Sequence, residues 1–160
     1  MAEISGSETN ERANFRAAVF VFLEKDNKVL LQKRFNTGWE DGKYTLVSGH
    51  IEDGERVKEA AVREAKEESG IVVEEDDFRV VHVMYNKLDT QYINFFLKTN
   101  KWKGEPINME PDRCDDLQWF DKDNLPENTI RFVKEYIEKI HGSGEIFSEF
   151  GFVTPPFVSS

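Results

Sequence analysis

Residues 49–71 constrain the fold more than any other part of the 160-residue chain. The stretch opens with a glycine-containing turn, and a helical run of residues follows from about position 56 to position 69. Gly70 stands where a glycine commonly ends a helix. Within the run, three carboxylates are spaced i, i+3 and i+4, which places them on one face of the helix. They are Glu64, Glu67 and Glu68.

The direction in which this face points decides how the stretch is interpreted. At about 100° per residue, the three glutamates lie on the same side as the small apolar residues that should pack inward. Those residues are Val57, Ala60, Ala61 and Ala65. Inward carboxylates are destabilising unless they are paired or bind a metal, and Arg63 alone cannot neutralise them all. The alternative is an ordinary solvated helix, which the apolar Val62 on the polar side leaves open.

The spacing of the fixed residues in this stretch resembles the Nudix box of the Nudix hydrolase family. Seven positions carry the residue that the box requires, and at a usage of about 7% each a chance match is on the order of 10⁻⁸ per start position. These positions are Gly49, Glu55, Arg63, Glu64, Glu67, Glu68 and Gly70. Ala65 and Ile71 supply the aliphatic-type residues of the pattern.

The resemblance implies a metal-dependent pyrophosphohydrolase that acts on a nucleoside diphosphate linked to another group. By match to the box, Glu55 and Arg63 would form an ion pair that fixes the loop against the helix, and Glu68 would also be catalytic. Four groups would bind the metal, namely the carbonyl of Gly49 and the carboxylates of Glu64, Glu67 and Glu68. Hard oxygen ligands suit Mg²⁺ or Mn²⁺, and no Cys/His cluster competes for zinc.

Further residues are candidates for the same site. Glu110 lies in the loop before the last predicted strand, where many family members place a Glu that completes the metal site or acts as a base. Asp115 and Asp116 compete for this role, and an ordinary surface acid is the equal alternative. Arg34, at the end of the second predicted strand, and His50 are candidate contacts to phosphate, although a solvated strand end also explains Arg34.

Composition limits the partners. A net charge of −10 argues against a general nucleic-acid surface, but not against a phosphate substrate, because metals bring positive charge. The single Cys114 cannot form an intramolecular disulfide, which suits a reducing cytoplasm. Residues 1–12 show no signal pattern, and the longest apolar run, residues 17–23, is far too short to span a membrane. We therefore expect a cytoplasmic monomer or homodimer that binds a small nucleotide and neither nucleic acid nor a membrane.

The order of the chain predicts one domain at residues 13–141, with a flexible leader at 1–12 and a tail at 142–160 that packs on the domain or on a partner. Six strands are predicted, at residues 14–23, 29–34, 44–47, 78–85, 91–99 and 117–120. Apolar residues at helical spacing predict a second helix at residues 128–141. Strands interspersed with two helices indicate an α/β protein with a mixed sheet covered on both faces. The resemblance implies the same fold, an α/β/α sandwich.

The substrate is inferred largely from absent motifs. Family members that act on ADP-ribose typically carry a Pro about fifteen residues after the box, where this chain has Tyr85, Asn86 and Lys87. The Ser-Gln-Pro signature of NADH-type members and any coenzyme A motif are also absent. By elimination, a nucleoside triphosphate, including an oxidised or non-standard one, is the leading substrate. The alternatives are a nucleotide sugar or dinucleoside polyphosphate, a catalytically silent nucleotide-binding or regulatory module, and an acidic cation-binding protein with a fortuitous pattern.

Overall fold

A computed structural model describes residues 11–153 of the protein. Within this range the chain forms seven strands, two α-helices, a 3₁₀ turn and a π-helical turn. The strands are β1 (Arg16–Lys25), β2 (Lys28–Arg34), β3 (Tyr44–His50), β4 (Arg79–Lys87), β5 (Gln91–Thr99), β6 (Cys114–Asp121) and β7 (Phe147–Phe150). The helices are α1 (Val57–Ser69) and α2 (Arg131–Glu135), the 3₁₀ turn is Glu75–Asp77 and the π-helical turn is Tyr136–Ile140.

The strands form one mixed sheet in the order β6-β2-β3-β1-β5-β4-β7. Two neighbouring pairs, β1–β5 and β4–β7, are parallel, and the other pairs are antiparallel. β1 and β2 also meet as a hairpin at a two-residue turn, where Asp26 and Asn27 have φ angles of 52° and 62°. Positive φ at both residues matches the right-handed twist of the flanking strands, which explains why a turn signal stands at this point of the sequence.

One helix covers each face of the sheet. On one face, the small residues of α1, Ala60, Ala61 and Ala65, pack on aliphatic residues of the central strands such as Val19 and Val47. On the other face, the segment that contains α2 packs in an aromatic core with Phe20, Phe22, Phe96, Phe132 and Tyr136. The prediction of an α/β/α sandwich with a mixed sheet between helices is confirmed.

Helix α1 begins and ends close to its predicted limits. Gly70 has a φ of 73°, and its N–H donates to the carbonyl of Lys66 at 2.9 Å, so the glycine adopts the left-handed conformation that stops a helix. At the other end of the helix, β3 precedes α1 in the chain and leads directly into the loop before it. The box therefore forms a strand, a loop and a helix in sequence, with the helix packed back on the strand.

The second helix is shorter than predicted. Residues 128–130 are not helical, because the N–H of Tyr44 donates to the carbonyl of Asn128 at 2.8 Å and the N–H of Ile130 donates to the carbonyl of Tyr44 at 2.9 Å. These bonds hold the segment in extended form beside the start of β3. After Glu135 the backbone widens into the π-helical turn, which ends where the N–H of His141 donates to the carbonyl of Tyr136.

The tail contains a strand that the sequence analysis did not predict. β7 pairs in parallel with β4, and the buried ring of His82 bonds to it through Nε2 and the hydroxyl of Ser148, 2.7 Å apart. The other ring nitrogen of His82 lies 3.0 Å from the carbonyl oxygen of Glu145. Four residues are too few to show an alternating pattern in the sequence. Residues 1–10 of the predicted leader and residues 154–160 of the predicted tail lie outside the described residues.

No helix within residues 11–153 combines the length and the apolar character that a membrane span requires.

Candidate active site

The loop between β3 and α1 places Gly49 directly against the helix. A Cβ atom on Gly49 would overlap the carboxylate of Glu64, so only glycine permits this approach. Glycine is therefore required at position 49 because the space for a side chain is already occupied. The same contact places the backbone of the strand end beside the first of the three helix carboxylates.

A single guanidinium ties the loop to the helix. Arg63 donates to both carboxylate oxygens of Glu55, with Nε–Oε2 at 2.7 Å and Nη2–Oε1 at 2.9 Å. Its Nη2 also donates to the carbonyl of His50 at 3.0 Å, so helix, loop and strand end share one charged group. The hydrogen bonds from Arg63 lower the pKa of Glu55 and, in return, raise the pKa of Arg63.

Arg63 also reaches two of the helix glutamates. Its Nη1 donates to Glu64 at 2.7 Å and to Glu67 at 3.2 Å. The side chain of Glu67 is 51% exposed, so the expectation that all three glutamates face inward is wrong at this position. Glu67 lies at the exposed edge of this helix face, where Arg63 meets it at the surface.

Glu68 is held by groups from two different strands. Its Oε2 accepts a hydrogen bond from Nε2 of Gln32 at 2.7 Å and one from the backbone N–H of Ser48 at 3.0 Å. Burial, with the nearby charge of Glu64, raises the pKa of Glu68 well above its ordinary range. Gln32 on β2 thus fixes the orientation of a carboxylate that lies on α1.

Glu64 is the second carboxylate with a raised pKa. The residue is 8% exposed, and burial raises its pKa to about 7. The hydrogen bond and charge of Arg63 oppose this effect, whereas the charges of Glu67 and Glu110 add to it. Two buried carboxylates with an acidic neighbour therefore share one corner of the protein with too little positive charge.

This donor set fits a divalent cation such as Mg²⁺ or Mn²⁺, which takes carboxylate and carbonyl oxygens. Carboxylates whose pKa is raised by burial and by one another gain from a cation that neutralises them. No three acidic, His or Cys side chains of residues 11–153 form a ready-made metal cluster. The reason is visible in the contacts, because Arg63 draws Glu64 and Glu67 towards itself while Gln32 holds Glu68.

Glu110 is the loop acid that lies at this corner. Its N–H donates to Oδ1 of Asn108 at 3.0 Å, and its carbonyl accepts from the N–H groups of Arg113 and Cys114 at 2.9 Å each, so a compact turn fixes it. Its charge is close enough to raise the pKa of both Glu64 and Glu68. Its carboxylate makes no hydrogen bond or ion pair within residues 11–153.

The competing acids point elsewhere. Asp115 pairs with Lys33 on β2 at 3.6 Å, and Asp116 accepts hydrogen bonds from the hydroxyl of Tyr44 and from Gln118. Neither aspartate lines the cleft that contains Glu110. The geometry therefore separates three acids that the sequence left as alternatives.

Arg34 and His50 both line the cleft, each with a partner of its own. The guanidinium of Arg34 donates to the carbonyl of Trp39 at 2.7 Å and to the hydroxyl of Thr37 at 2.9 Å, and it stacks on the Trp39 ring at 4.9 Å. The ring of His50 stacks on Tyr92 at 5.8 Å, and its Nε2 lies 3.2 Å from the Tyr92 hydroxyl. Burial lowers the pKa of His50, which favours the neutral ring.

The carboxylates stand at one end of a single cleft of about 500 Å³. From Glu64, Glu68 and Glu110 the cleft continues over the sheet towards α2. We call its far end the apolar slot, which is lined by Ala18, Phe20, Asn94 and Phe132. Sequence reasoning missed these residues and Gln32. The available signal was a polar amide next to the apolar run of a strand, since Gln32 follows residues 29–31 and Asn94 precedes residues 95–97.

The family follows from the comparison of the whole chain with known proteins. A model of the NUDIX domain matches residues 14–140, a range that contains every site residue described above. The chain belongs to the Nudix hydrolase family. It is a pyrophosphohydrolase of that family, and Nudix hydrolases generally use divalent metal ions and act on small nucleotide substrates.

Proteins similar to this chain have names that describe different substrates. An ADP-ribose pyrophosphatase from Methanocaldococcus jannaschii is 30% identical over 128 residues, which cover 78% of this chain and 75% of that protein. An oxidized purine nucleoside triphosphate hydrolase from Danio rerio is 28% identical over 108 residues, which cover 66% of each protein. The Nudix domain spans under half of some longer relatives, with 37% to 40% of three NAD-capped RNA hydrolases covered.

A solved structure supports the fold. The crystal structure of a MutT NUDIX hydrolase from Burkholderia pseudomallei superposes with a TM-score of 0.73 at 27% identity, and the match covers 79% of this chain and 98% of that one. The match therefore accounts for almost the whole of that protein.

Proposed function

We propose that this Nudix domain hydrolyses a nucleoside triphosphate to the monophosphate and pyrophosphate with the help of Mg²⁺ or Mn²⁺. The observation that carries the proposal is the position of Glu64, Glu68 and Glu110, which line one end of a cleft whose other end is apolar and aromatic. A nucleotide has the same polarity, with charged phosphates at one end and a planar base at the other.

The residues that would hold the metal are those of the box. They are the carbonyl of Gly49 and the carboxylates of Glu64, Glu67 and Glu68. When bound, a divalent cation neutralises the phosphate charge and lowers the pKa of a water molecule that becomes the nucleophile. Arg63 and Glu55 position the helix and the loop, because their paired hydrogen bonds fix the distance between Gly49 and α1.

Hydrolysis joins a water oxygen to phosphorus, breaks the bridging P–O bond and leaves one proton to be accepted. We assign Glu110 as the acceptor, since its carboxylate faces the cleft without a partner of its own within residues 11–153. Glu68 is the second catalytic carboxylate, and the bonds from Gln32 and Ser48 to its Oε2 keep the group at a fixed orientation. Arg34 and His50 bind phosphate oxygens along the wall of the cleft.

The choice of a triphosphate rests on the absent Pro after the box and on the similarity to a purine nucleoside triphosphate hydrolase. A second candidate is ADP-ribose, which the similarity to an ADP-ribose pyrophosphatase favours although the Pro is missing. Both substrates carry a nucleoside diphosphate, so the same carboxylates would serve either one. We propose a cytoplasmic setting, which suits the buried, unpaired Cys114, and a monomer or homodimer.

A substrate screen tests the proposal. Nucleoside triphosphates, ADP-ribose, nucleotide sugars and dinucleoside polyphosphates are each incubated with Mg²⁺, Mn²⁺ or EDTA, and the products are separated by chromatography. We expect monophosphate and pyrophosphate from a triphosphate with metal only, and loss of turnover in Glu68→Gln. Binding of nucleotides without turnover of any compound would instead favour the catalytically silent module.

A further inference from the structure

The amide of Asn94 is a buried polar group that faces the cleft. Asn94 lies on β5 and is 2% exposed, yet it lines the cleft and forms no side-chain hydrogen bond within residues 11–153. An amide has two donors and an acceptor with two lone pairs, and buried polar groups are normally hydrogen-bonded. Asn94 therefore presents an unused donor and acceptor to whatever enters the apolar slot.

The residue beside Asn94 on β1 is small. In the sheet register, Asn94 on β5 pairs with Ala18 on β1, and Ala18 pairs on its other side with His50 on β3. Ala18 is thus a small residue between two larger ones on the floor of the cleft. Phe20 on the same strand and Phe132 on α2 meet edge to face at 5.4 Å and form an aromatic wall.

We propose that the apolar slot binds a purine base and that Asn94 selects it by hydrogen bonds to the base edge. This inference rests on the proposed function and names the part of the nucleotide that the far end of the cleft recognises. An amide can select a purine through the N7 edge, which pyrimidines lack, because it pairs in bidentate fashion with N6 and N7 of adenine and can donate to N7 or O6 of guanine. Aromatic and small aliphatic walls stack on or enclose a ring, as they do in other base-binding sites.

The chemistry of the slot favours a base over a second sugar. A sugar carries several hydroxyl groups that each need a partner, whereas Ala18, Phe20 and Phe132 offer no side-chain hydrogen bond and Asn94 offers a single amide. Burying an unpaired hydroxyl is destabilising, so such a ligand would bind with its sugar outside. A purine also offers a larger ring face to the aromatic wall than a pyrimidine does.

Asn86 provides a matched control. Both of its amide atoms are enclosed and without a partner in the described chain, and it lies on β4 opposite Tyr92, the residue two positions before Asn94. Unlike Asn94, it does not line the cleft. Loss of the Asn86 amide therefore reports what the removal of a buried amide does to the fold without touching the slot.

The test measures binding of ligands that have no pyrophosphate bond. AMP, GMP, CMP, UMP and ribose 5-phosphate are titrated into the full chain and into Asn94→Leu, Asn86→Leu and Ala18→Val. We expect the wild type to bind the purine monophosphates about tenfold more tightly than the pyrimidine ones. Asn94→Leu should weaken purine binding about tenfold and remove the preference for purines. Asn86→Leu should keep the wild-type purine affinity and the preference. Ribose 5-phosphate should bind with equal affinity to the wild type and to all the variants.

Ala18→Val keeps the proposal testable if Asn94→Leu fails to fold. A larger side chain on the floor should weaken all four nucleotides and leave ribose 5-phosphate unchanged. Wild-type affinities that do not depend on the base, or an equal loss of all ligands in Asn94→Leu, would overturn the base slot. Because no hydrolysis is measured, base-dependent binding without turnover would overturn only the proposed reaction, and turnover without base-dependent binding would overturn only the slot.

Discussion

At the scale of single residues, the missing side chain of Gly49 decides where a carboxylate can stand. The space that a Cβ would take on Gly49 is filled by the carboxylate of Glu64. A residue on a strand end and a residue on a helix are therefore adjusted to each other, although the sequence separates them by fifteen positions.

Gly49→Ala is expected to lower the free energy of unfolding by about 1–3 kcal/mol, the usual cost of a forced overlap in a packed region. The added methyl must displace the carboxylate of Glu64, so turnover should fall as well. Chemical denaturation of Gly49→Ala, Glu64→Ala and the double variant measures the coupling. We expect the double variant to lose less stability than the sum of the two single variants by about 0.5–3 kcal/mol. Strict additivity would show that the overlap is relieved in some other way.

Glu110→Gln is expected to lower turnover about 10²-fold or more, the scale for loss of a positioned proton acceptor. Folding should be unaffected, because the carboxylate makes no hydrogen bond or ion pair in the described chain. Asp115→Asn is the matched control, since Asp115 lies five residues after Glu110 and forms an ion pair with Lys33 at 3.6 Å. Steady-state rates of the two variants give the answer, and comparable losses in both would mean that the acids act only through their combined charge.

At the scale of secondary structure, the box is a strand, a loop and a helix whose mutual position a single guanidinium maintains. The spacing of residues in the sequence predicted α1 and the glycine that ends it, because a helix imposes a period that a glycine interrupts. It could not predict Gln32 or Ser48 as partners of Glu68, since these contacts depend on the register of β2 and β3. The periodicity also placed Glu67 inside, because helical spacing alone does not show which positions at the edge of a face are exposed.

The tail is an element whose attachment depends on few contacts. β7 has four residues and is held to β4 by its ladder and by the ring of the buried His82. This parallel pairing joins segments that are far apart in the chain. No local pattern in the sequence could predict it, for the same reason that the extended segment before α2 was taken for helix.

Ser148→Ala is expected to lower the free energy of unfolding by about 1–3 kcal/mol, because it leaves Nε2 of the buried His82 without a partner. In Ser148→Ala, amide hydrogen exchange should become faster in β7 than in the wild type, and the increase should be larger in β7 than in the central strands. Ser143→Ala serves as the control, since its hydroxyl bonds only to the exposed backbone of Glu145. Unchanged exchange in β7 of Ser148→Ala would show that the backbone ladder alone holds the tail.

At the scale of the whole molecule, the carboxylates of the cleft couple stability to pH and to metal. Burial raises the pKa of Glu64 to about 7, from an unfolded value near 4.5. Stability from this group is therefore fully present below pH 4.5 and is lost as the pH rises through 7. A cation that binds the ionised form reverses that loss by mass action on the folded state.

Mg²⁺ is accordingly expected to raise the melting temperature more at pH 8 than at pH 5.5, where protons compete for Glu64. Glu64→Gln should reduce both the decline of stability with pH in EDTA and the gain with Mg²⁺. Thermal melts of the two proteins at both pH values, with EDTA or millimolar Mg²⁺, provide the comparison. An equal Mg²⁺ effect at the two pH values would show that Glu64 does not take part in binding.

Arg63 gives the chain an internal counter-charge for its own active site. The guanidinium bonds to Glu55, Glu64 and Glu67 with groups that are all part of the same polypeptide. We therefore expect the domain to fold without a cation, unlike small zinc domains, which are unfolded without their metal. We expect a cation to bind by an exchange of partners, in which Glu64 and Glu67 leave the guanidinium of Arg63 for the metal.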